Sequence, residues 1–223
     1  MKTLHESHSN ILSLREVANC LREKRTFAPN SVAITFDDGF RSVHDVALPV
    51  LKDYGFVATV FLVTDFCGKN NGWYGQPESI PVFDLLRWDD ITEMAGQNIE
   101  FGVHTASHPD LTKISQAKIE NEILGARETL RKNLQQNECA FAYPYGKRSS
   151  YAEKLVDGNF YAACSTRMNF ASFNSDLHFL PRIDMYYFST NNLFSATSAS
   201  SFQRFVRFRK TLRDLKQTIT GNN

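Results

Sequence analysis

Short apolar runs alternate with helical patterns along most of this chain of 223 residues. The apolar runs predict strands at residues 32–36, 57–63, 99–103, 139–143, 161–165 and 180–183. The helical patterns lie at residues 12–24, 44–54, 88–95, 115–134 and 150–156. Strands that alternate with helices form βα units and a mainly parallel sheet. The pattern therefore predicts an α/β fold.

The first predicted strand runs directly into the sequence Asp37-Asp38-Gly39. Residues at the carboxyl end of a parallel strand face the crevice in which α/β proteins bind ligands. Asp and Gly also dominate turns, so these three residues alone leave a simple turn equally open.

Two histidines follow the third predicted strand. His104 and His108 are four residues apart, which corresponds to one helical turn, and Pro109 is typical of a helix start. Together with Asp38 they would offer two imidazole nitrogens and one carboxylate oxygen, a set that suits zinc or a similar divalent ion. Asp37 would then be free to act as a general base toward a water molecule that the ion activates.

The same ligand types also suit a non-haem iron oxygenase. Such enzymes usually have all-β scaffolds, so the alternation of strands and helices argues against one.

A long irregular segment lies between residues 67 and 87 and is rich in Gly and Pro. Loops of this length inside compact domains are usually functional or disordered. The segment contains Trp73 and Tyr74, and aromatic faces suit sugar rings. Trp73 is therefore predicted to bind substrate, with packing at the surface as the alternative.

Three motifs together resemble the polysaccharide deacetylase family, the NodB homology domain. They are TFDDG at 35–39, HTASH at 104–108 and FAYPYG at 141–146, and the resemblance extends over residues 32–183. It implies a distorted, incomplete (β/α) barrel and metal-dependent removal of N-acetyl groups from the amino sugars of a glycan or glycan precursor. It also implies that Asp37 is the catalytic base, and that Asp38, His104 and His108 bind one divalent metal ion. Zinc is the favoured ion, with cobalt, nickel or manganese as alternatives.

The third motif is assigned by the resemblance to the substrate groove. Tyr143, Pro144 and Tyr145 would form one wall of this groove, and the backbone N–H of Tyr145 would help to hold the oxyanion.

The chain departs from the family pattern at two places. Ala142 occupies the position at which the family commonly has an arginine. Arg182 is the predicted replacement, as a partner of Asp37, and a structural pair of Arg182 with Asp184 or Asp176 is the alternative. The family's late Leu-x-His motif, which supplies a general acid, cannot be identified in this sequence. His178 is the nearest candidate for that role. These departures leave open a catalytically impaired glycan-binding protein, or a hydrolase of small cyclic amides on the same fold.

The composition of the chain restricts the classes of partner and the cellular location that can be expected. A formal net charge of +1 does not favour a nucleic-acid partner, which would require a strong basic excess. No apolar run is long enough to span a bilayer, and the first ten residues lack the apolar region of a signal peptide, which predicts a cytoplasmic protein. The four cysteines show no C-x-x-C spacing and are expected to be reduced.

Three segments are predicted along the chain. Residues 1–31 form a helical lead-in, residues 32–194 form the deacetylase-like domain, and residues 195–223 form a Ser-rich linker and a basic C-terminal helix. The basic face of that helix is expected to be solvated, and a peripheral membrane contact is the less favoured alternative.

Overall fold

The fold was analysed in a computed structural model, which describes residues 1–188, 202 and 204–211. Six parallel strands form the main sheet, and each strand pairs with the next one along the chain. They are β3 (Thr35–Phe36), β4 (Ala58–Leu62), β5 (Ile99–Val103), β6 (Phe141–Ala142), β7 (Ala163–Met168) and β8 (Leu180–Arg182). The sheet curls into a half-barrel whose two open edges are β3 and β8. The predicted incomplete (β/α) barrel is therefore confirmed.

Helices connect the strands, as the sequence predicts. They are α1 (Lys2–Glu6), α2 (Leu14–Arg22), α3 (Leu48–Tyr54), α4 (Trp88–Ala95), α5 (Gln116–Glu120), α6 (Ala126–Leu134) and α7 (Ser150–Asn159). A π-helical segment at Val43–Ala47 leads into α3, and another at Asn121–Gly125 joins α5 to α6. Helix α1 was not predicted.

The first predicted strand is wrong in its extent. Residues 32–36 are split between two sheets, because β2 (Ser31–Val32) pairs with β1 (Asn10–Ile11) while β3 pairs with β4. The run is half-buried and not fully buried, since β3 is an edge of the main sheet.

The inside of the half-barrel is closed at one end by α2. This helix begins at Ser13, whose side chain accepts a hydrogen bond from the backbone N–H of Glu16 while the Glu16 carboxylate accepts one from the N–H of Ser13. Its apolar face packs on interior side chains of the strands: Leu14, Val17, Ala18 and Leu21 contact the cluster that contains Phe61, Ala140, Ala142, Cys164 and Leu180. Arg22 donates to the carbonyl of Tyr161, which lies two residues before β7. Helix α2 therefore covers the amino-terminal ends of the strands and leaves the opposite end for a site.

Small residues make room for one large ring inside the barrel. A Cβ at Gly102 would lie 2.6 Å from the ring of Phe61 and 2.8 Å from the carbonyl oxygen of Ala140. Interiors are packed at close to crystal density, so Phe61 fills space that a side chain at position 102 would occupy.

Both ends of the chain pack on the barrel where they are described. Leu4 of α1 belongs to the core between the sheet and the outer helices. Near the other end, residues 204–211 are helical, and Val206 packs on Met168. The predicted linker at 195–201 and the part of the predicted helix beyond residue 211 lie outside the described residues. Across the described part of the chain, no helix has the length and apolar character needed to cross a membrane.

Candidate active site

The carboxyl ends of four strands bring the predicted site residues together. Asp37 and Asp38 follow β3, His104 follows β5, Tyr145 lies just beyond β6, and Arg182 ends β8. All except Arg182 line a cavity of about 300 Å³, together with His108, Trp73 and five residues of the surrounding loops. Sites of (β/α) barrels form at this end because the loops that leave the strands converge there.

Asp38 and the two histidines form a group that could hold a metal ion. The Oδ1 atom of Asp38 lies 3.5 Å from the Nε2 atom of His104 and 3.5 Å from that of His108. The three potential ligand atoms all lie within 4.8 Å of one another. Oδ1 is buried and has no hydrogen-bond partner among the described residues, and an unpaired buried carboxylate oxygen is costly. A divalent cation bound by all three side chains would satisfy it.

Both histidines turn a ring nitrogen toward Asp38. Nδ1 of His104 lies 2.7 Å from the carbonyl oxygen of Ala142. A carbonyl can only accept, so Nδ1 carries a proton, and in the neutral tautomer Nε2 is the nitrogen with the free lone pair. Burial, and the electrostatic effect of the neighbouring His104, lower the pKa of His108 to about 3. The contact between His108 and Asp38 is therefore not an ion pair at neutral pH. Neutral imidazole is the form that binds metals.

Asp37 is paired with Arg182 across the opening of the half-barrel. The guanidinium donates to both carboxylate oxygens, at 2.6 and 2.7 Å. It also donates to the hydroxyl of Thr35 on β3 at 3.2 Å and to the carbonyl of Ser165 on β7 at 2.9 Å. The predicted pair of Arg182 with Asp37 is therefore present, and it links the two edge strands of the sheet. The alternative partners Asp184 and Asp176 do not contact the guanidinium at hydrogen-bond distance; Asp176 lies 3.5 Å from Arg148 instead.

The two adjacent aspartates are shifted in opposite directions. Burial acts to raise the pKa of Asp37, but the charge and hydrogen bonds of Arg182 outweigh it, and the net pKa lies below the usual value. Burial raises the pKa of Asp38, and the neighbouring charge of Asp37 adds to this shift. Asp37 is thus held ionised, as a general base requires.

A family model described as polysaccharide deacetylase matches residues 24–160. The chain belongs to the polysaccharide deacetylase family. The matched stretch contains both aspartates, both histidines and Tyr145, and it ends before Arg182.

Relatives with assigned names support the same family. A poly-β-1,6-N-acetyl-D-glucosamine N-deacetylase of Staphylococcus epidermidis is 33% identical over 147 residues, which cover 62% of this chain and 48% of that protein. The solved structure of a Streptococcus pyogenes deacetylase in complex with acetate has a TM-score of 0.71 at 28% identity and covers 82% of this chain and 76% of that one. IcaB from Ammonifex degensii, at 20% identity, shares the fold with a TM-score of 0.68 over 94% of this chain and 85% of that one. This chain spans between 48% and 61% of the length of the curated relatives that it matches.

The segment between the two histidines of this family member is not helical, so the predicted helical geometry is wrong. Thr105 and His108 have φ values of 67° and 61°, in the left-handed region. The Thr105 hydroxyl accepts a hydrogen bond from the backbone N–H of His108 at 2.9 Å, which closes a tight loop. The loop brings the two imidazole centroids within 4.8 Å of each other. Pro109 continues this loop and does not begin a helix.

The third motif of this family member contributes one side chain to the cavity, and not three. Tyr143 is fully buried, and its ring packs on Phe141 and Phe179 in the core. Pro144 is also buried, and neither residue is among the described residues that line the cavity. Tyr143 points away from the site because strand residues alternate between the two faces of a sheet. Tyr145, 46% exposed, does line the cavity, and its hydroxyl lies 3.1 Å from Nδ1 of His108.

His178, the nearest candidate in the sequence for a general acid, does not lie in the site. Its Nε2 lies 3.0 Å from the carbonyl of Phe160, and its Nδ1 lies 3.1 Å from Asp157. His178 precedes β8 and is therefore at the amino-terminal end of the strands, away from the cavity.

The long loop forms one wall of the cavity. Trp73 is only 3% exposed, and its ring centroid lies 4.4 Å from that of His108. It therefore both lines the cavity and packs against a potential metal ligand, whereas Tyr74 is fully exposed. Asn71 holds the loop closed, because its buried side chain donates to the carbonyl of Pro81 and accepts from the N–H of Phe83. Sequence reasoning missed Asn71, although a short amide next to a glycine in a long loop is a typical turn signal.

Proposed function

We propose that this chain is a metal-dependent hydrolase that removes N-acetyl groups from amino sugars of a polysaccharide, an oligosaccharide or a glycan precursor. The observation that carries the proposal is the unpartnered, buried Oδ1 of Asp38, which is equally distant from the Nε2 atoms of two histidines and next to a carboxylate held ionised. The names of the relatives support the substrate class, since they include N-deacetylases of poly-β-1,6-N-acetyl-D-glucosamine and a deacetylase solved with acetate.

Asp38, His104 and His108 would hold one divalent ion. Two imidazoles and one carboxylate suit zinc best, and cobalt, nickel or manganese are alternatives. When bound, such an ion supplies Lewis-acid chemistry toward the amide carbonyl and the attacking water.

Asp37 is the proposed general base. Its ionised carboxylate accepts a proton from water as the water attacks the carbonyl, and Arg182 fixes the orientation of that carboxylate. Since Arg182 lowers the pKa of Asp37, the protonated carboxyl gives up its proton more readily than an ordinary aspartic acid. We assign the return of this proton to the leaving amine to the same side chain, because His178 lies away from the cavity.

Two other parts of the cavity would position the substrate. The backbone N–H of Tyr145 is proposed to stabilise the oxyanion, in line with the use of fixed donors at developing charge. The ring of Trp73 and the side chain of Tyr145 would confine the sugar against the metal-binding group.

The pairing of Arg182 with Asp37 also counts against a catalytically impaired glycan-binding protein, because Arg182 would fill the role left open by Ala142.

A substrate panel tests this function. We expect the metal-loaded protein to release acetate from oligomers of β-1,6- or β-1,4-linked N-acetylglucosamine, and to leave small cyclic amides unchanged. Acetate is measured directly, and ring opening is followed for the cyclic amides. Tight binding of the oligomers without acetate release would instead identify a binding protein, and turnover of the cyclic amides alone would identify a different hydrolase.

A further inference from the structure

The loop that carries the two histidines cannot hold its shape by local preference alone. Thr105 and His108 both adopt left-handed backbone angles, which are uncommon for residues with side chains and costly for a β-branched residue. Such a conformation persists only when the surrounding structure fixes it.

One carboxylate outside the motif binds this loop between its two histidines. Oε2 of Glu122 accepts hydrogen bonds from the backbone N–H groups of Ala106 and Ser107, at 3.0 and 2.8 Å. Its Oε1 accepts a third from the hydroxyl of Ser107 at 2.6 Å. Hydrogen bonds to an ionised acceptor are stronger than those between neutral groups, so this carboxylate is a firm anchor.

The helix that presents Glu122 is irregular at this point. Glu122 lies in the π-helical segment Asn121–Gly125, and such single-turn insertions are frequent at functional sites. Within the part of the chain that the structure describes, Glu122 forms no ion pair, and it does not line the cavity. Its charge is therefore balanced by donors of the histidine loop, and it touches neither substrate nor the metal-binding group directly.

We infer that Glu122 is a positioning residue that sets the distance and orientation between His104 and His108, and thereby the affinity of the site for its metal. The inference rests on the proposed function. Groups that orient metal ligands from outside typically change metal affinity by roughly 10- to 100-fold when they are removed.

The test compares zinc affinity in Glu122→Ala, Glu122→Gln and wild-type protein, measured by competition with a chromophoric chelator. We expect Glu122→Ala to bind zinc roughly 10- to 100-fold more weakly. Glu122→Gln keeps one carbonyl acceptor without the charge, and we expect a smaller loss. Glu128→Ala is the matched control. Glu128 lies six residues further along, in α6, its side chain is 44% exposed, and its ion pairs among the described residues are with Arg131 and Lys132. Its zinc affinity should equal that of the wild type.

Cobalt separates a positioning role from a merely structural one. The visible absorption of bound Co²⁺ depends on ligand geometry, so at saturating cobalt the spectrum of Glu122→Gln should differ from that of the wild type. A lowered melting temperature with unchanged zinc affinity and unchanged cobalt spectrum would overturn the inference. If the alanine variant does not fold, the zinc affinity and cobalt spectrum of Glu122→Gln alone are compared with those of the wild type. If the wild-type protein itself binds no zinc or cobalt, the proposed function fails; if it binds them and the Glu122 variants bind equally well, the inference about Glu122 alone fails.

Discussion

Replacing Asp37 with asparagine is expected to lower kcat for acetate release by about a hundredfold or more while the protein keeps its metal. Asparagine preserves the shape of the side chain and one acceptor for Arg182, but it cannot take a proton from water. The two adjacent aspartates differ in environment, since only Asp37 is paired with a guanidinium. The effect should therefore fall on turnover and not on metal binding.

The measurement is kcat together with metal content by elemental analysis. Asp53→Asn is the control, because Asp53 is an exposed acid on α3, away from the cavity. A folded Asp37→Asn protein that has lost its metal would mean that the two aspartates exchange roles.

Replacing Arg182 with alanine is expected to lower kcat strongly, again with the metal retained. The guanidinium donates both to the two oxygens of Asp37 and to Thr35 and Ser165, so its loss frees the proposed base to rotate and raises its pKa. Arg182→Lys should be intermediate, since lysine keeps the charge but lacks the planar, two-pronged geometry.

A double-mutant cycle decides whether Arg182 acts through Asp37. In an Asp37→Asn background, Arg182→Ala should cost little more, because residues that act as a unit are strongly non-additive. Arg148→Ala is the control, because this arginine also pairs with acids and packs on Phe179 but lies outside the cavity. Its kcat should equal that of the wild type. Additive effects of the two substitutions, or a near wild-type kcat in Arg182→Ala, would remove Arg182 from the proposed mechanism.

The sequence predicts the architecture and most of the site because both depend on local signals. Alternating strands and helices specify the parallel half-barrel, and acidic and imidazole side chains at strand ends specify the group formed by Asp38, His104 and His108. Arg182 could be predicted because the family resemblance implies an arginine partner for the base, and Ala142 stands where the family commonly has that arginine. The structure places its guanidinium on both oxygens of Asp37.

Other features were decided by distant contacts that local patterns do not carry. The strand at 32–36 divides because the two-residue strand Asn10–Ile11 pairs with its first part, and Asn10–Ile11 has no apolar run to mark it. The histidine loop has the spacing of a helical turn, but the left-handed angle at Thr105, which a β-branched residue rarely adopts, makes it a loop. Its anchor, Glu122, lies on a helix whose amphipathic pattern gives no sign of the π-helical segment.

The most direct test of metal-dependent hydrolysis is acetate release by the chelator-treated protein, before and after addition of one equivalent of zinc. We expect activity to vanish on chelation and to return with zinc or cobalt. Asp38→Ala should show no activity that zinc or cobalt restores, because it removes one of the three proposed ligands. Full activity from protein that contains no metal by elemental analysis would contradict metal-dependent hydrolysis at Asp38, His104 and His108.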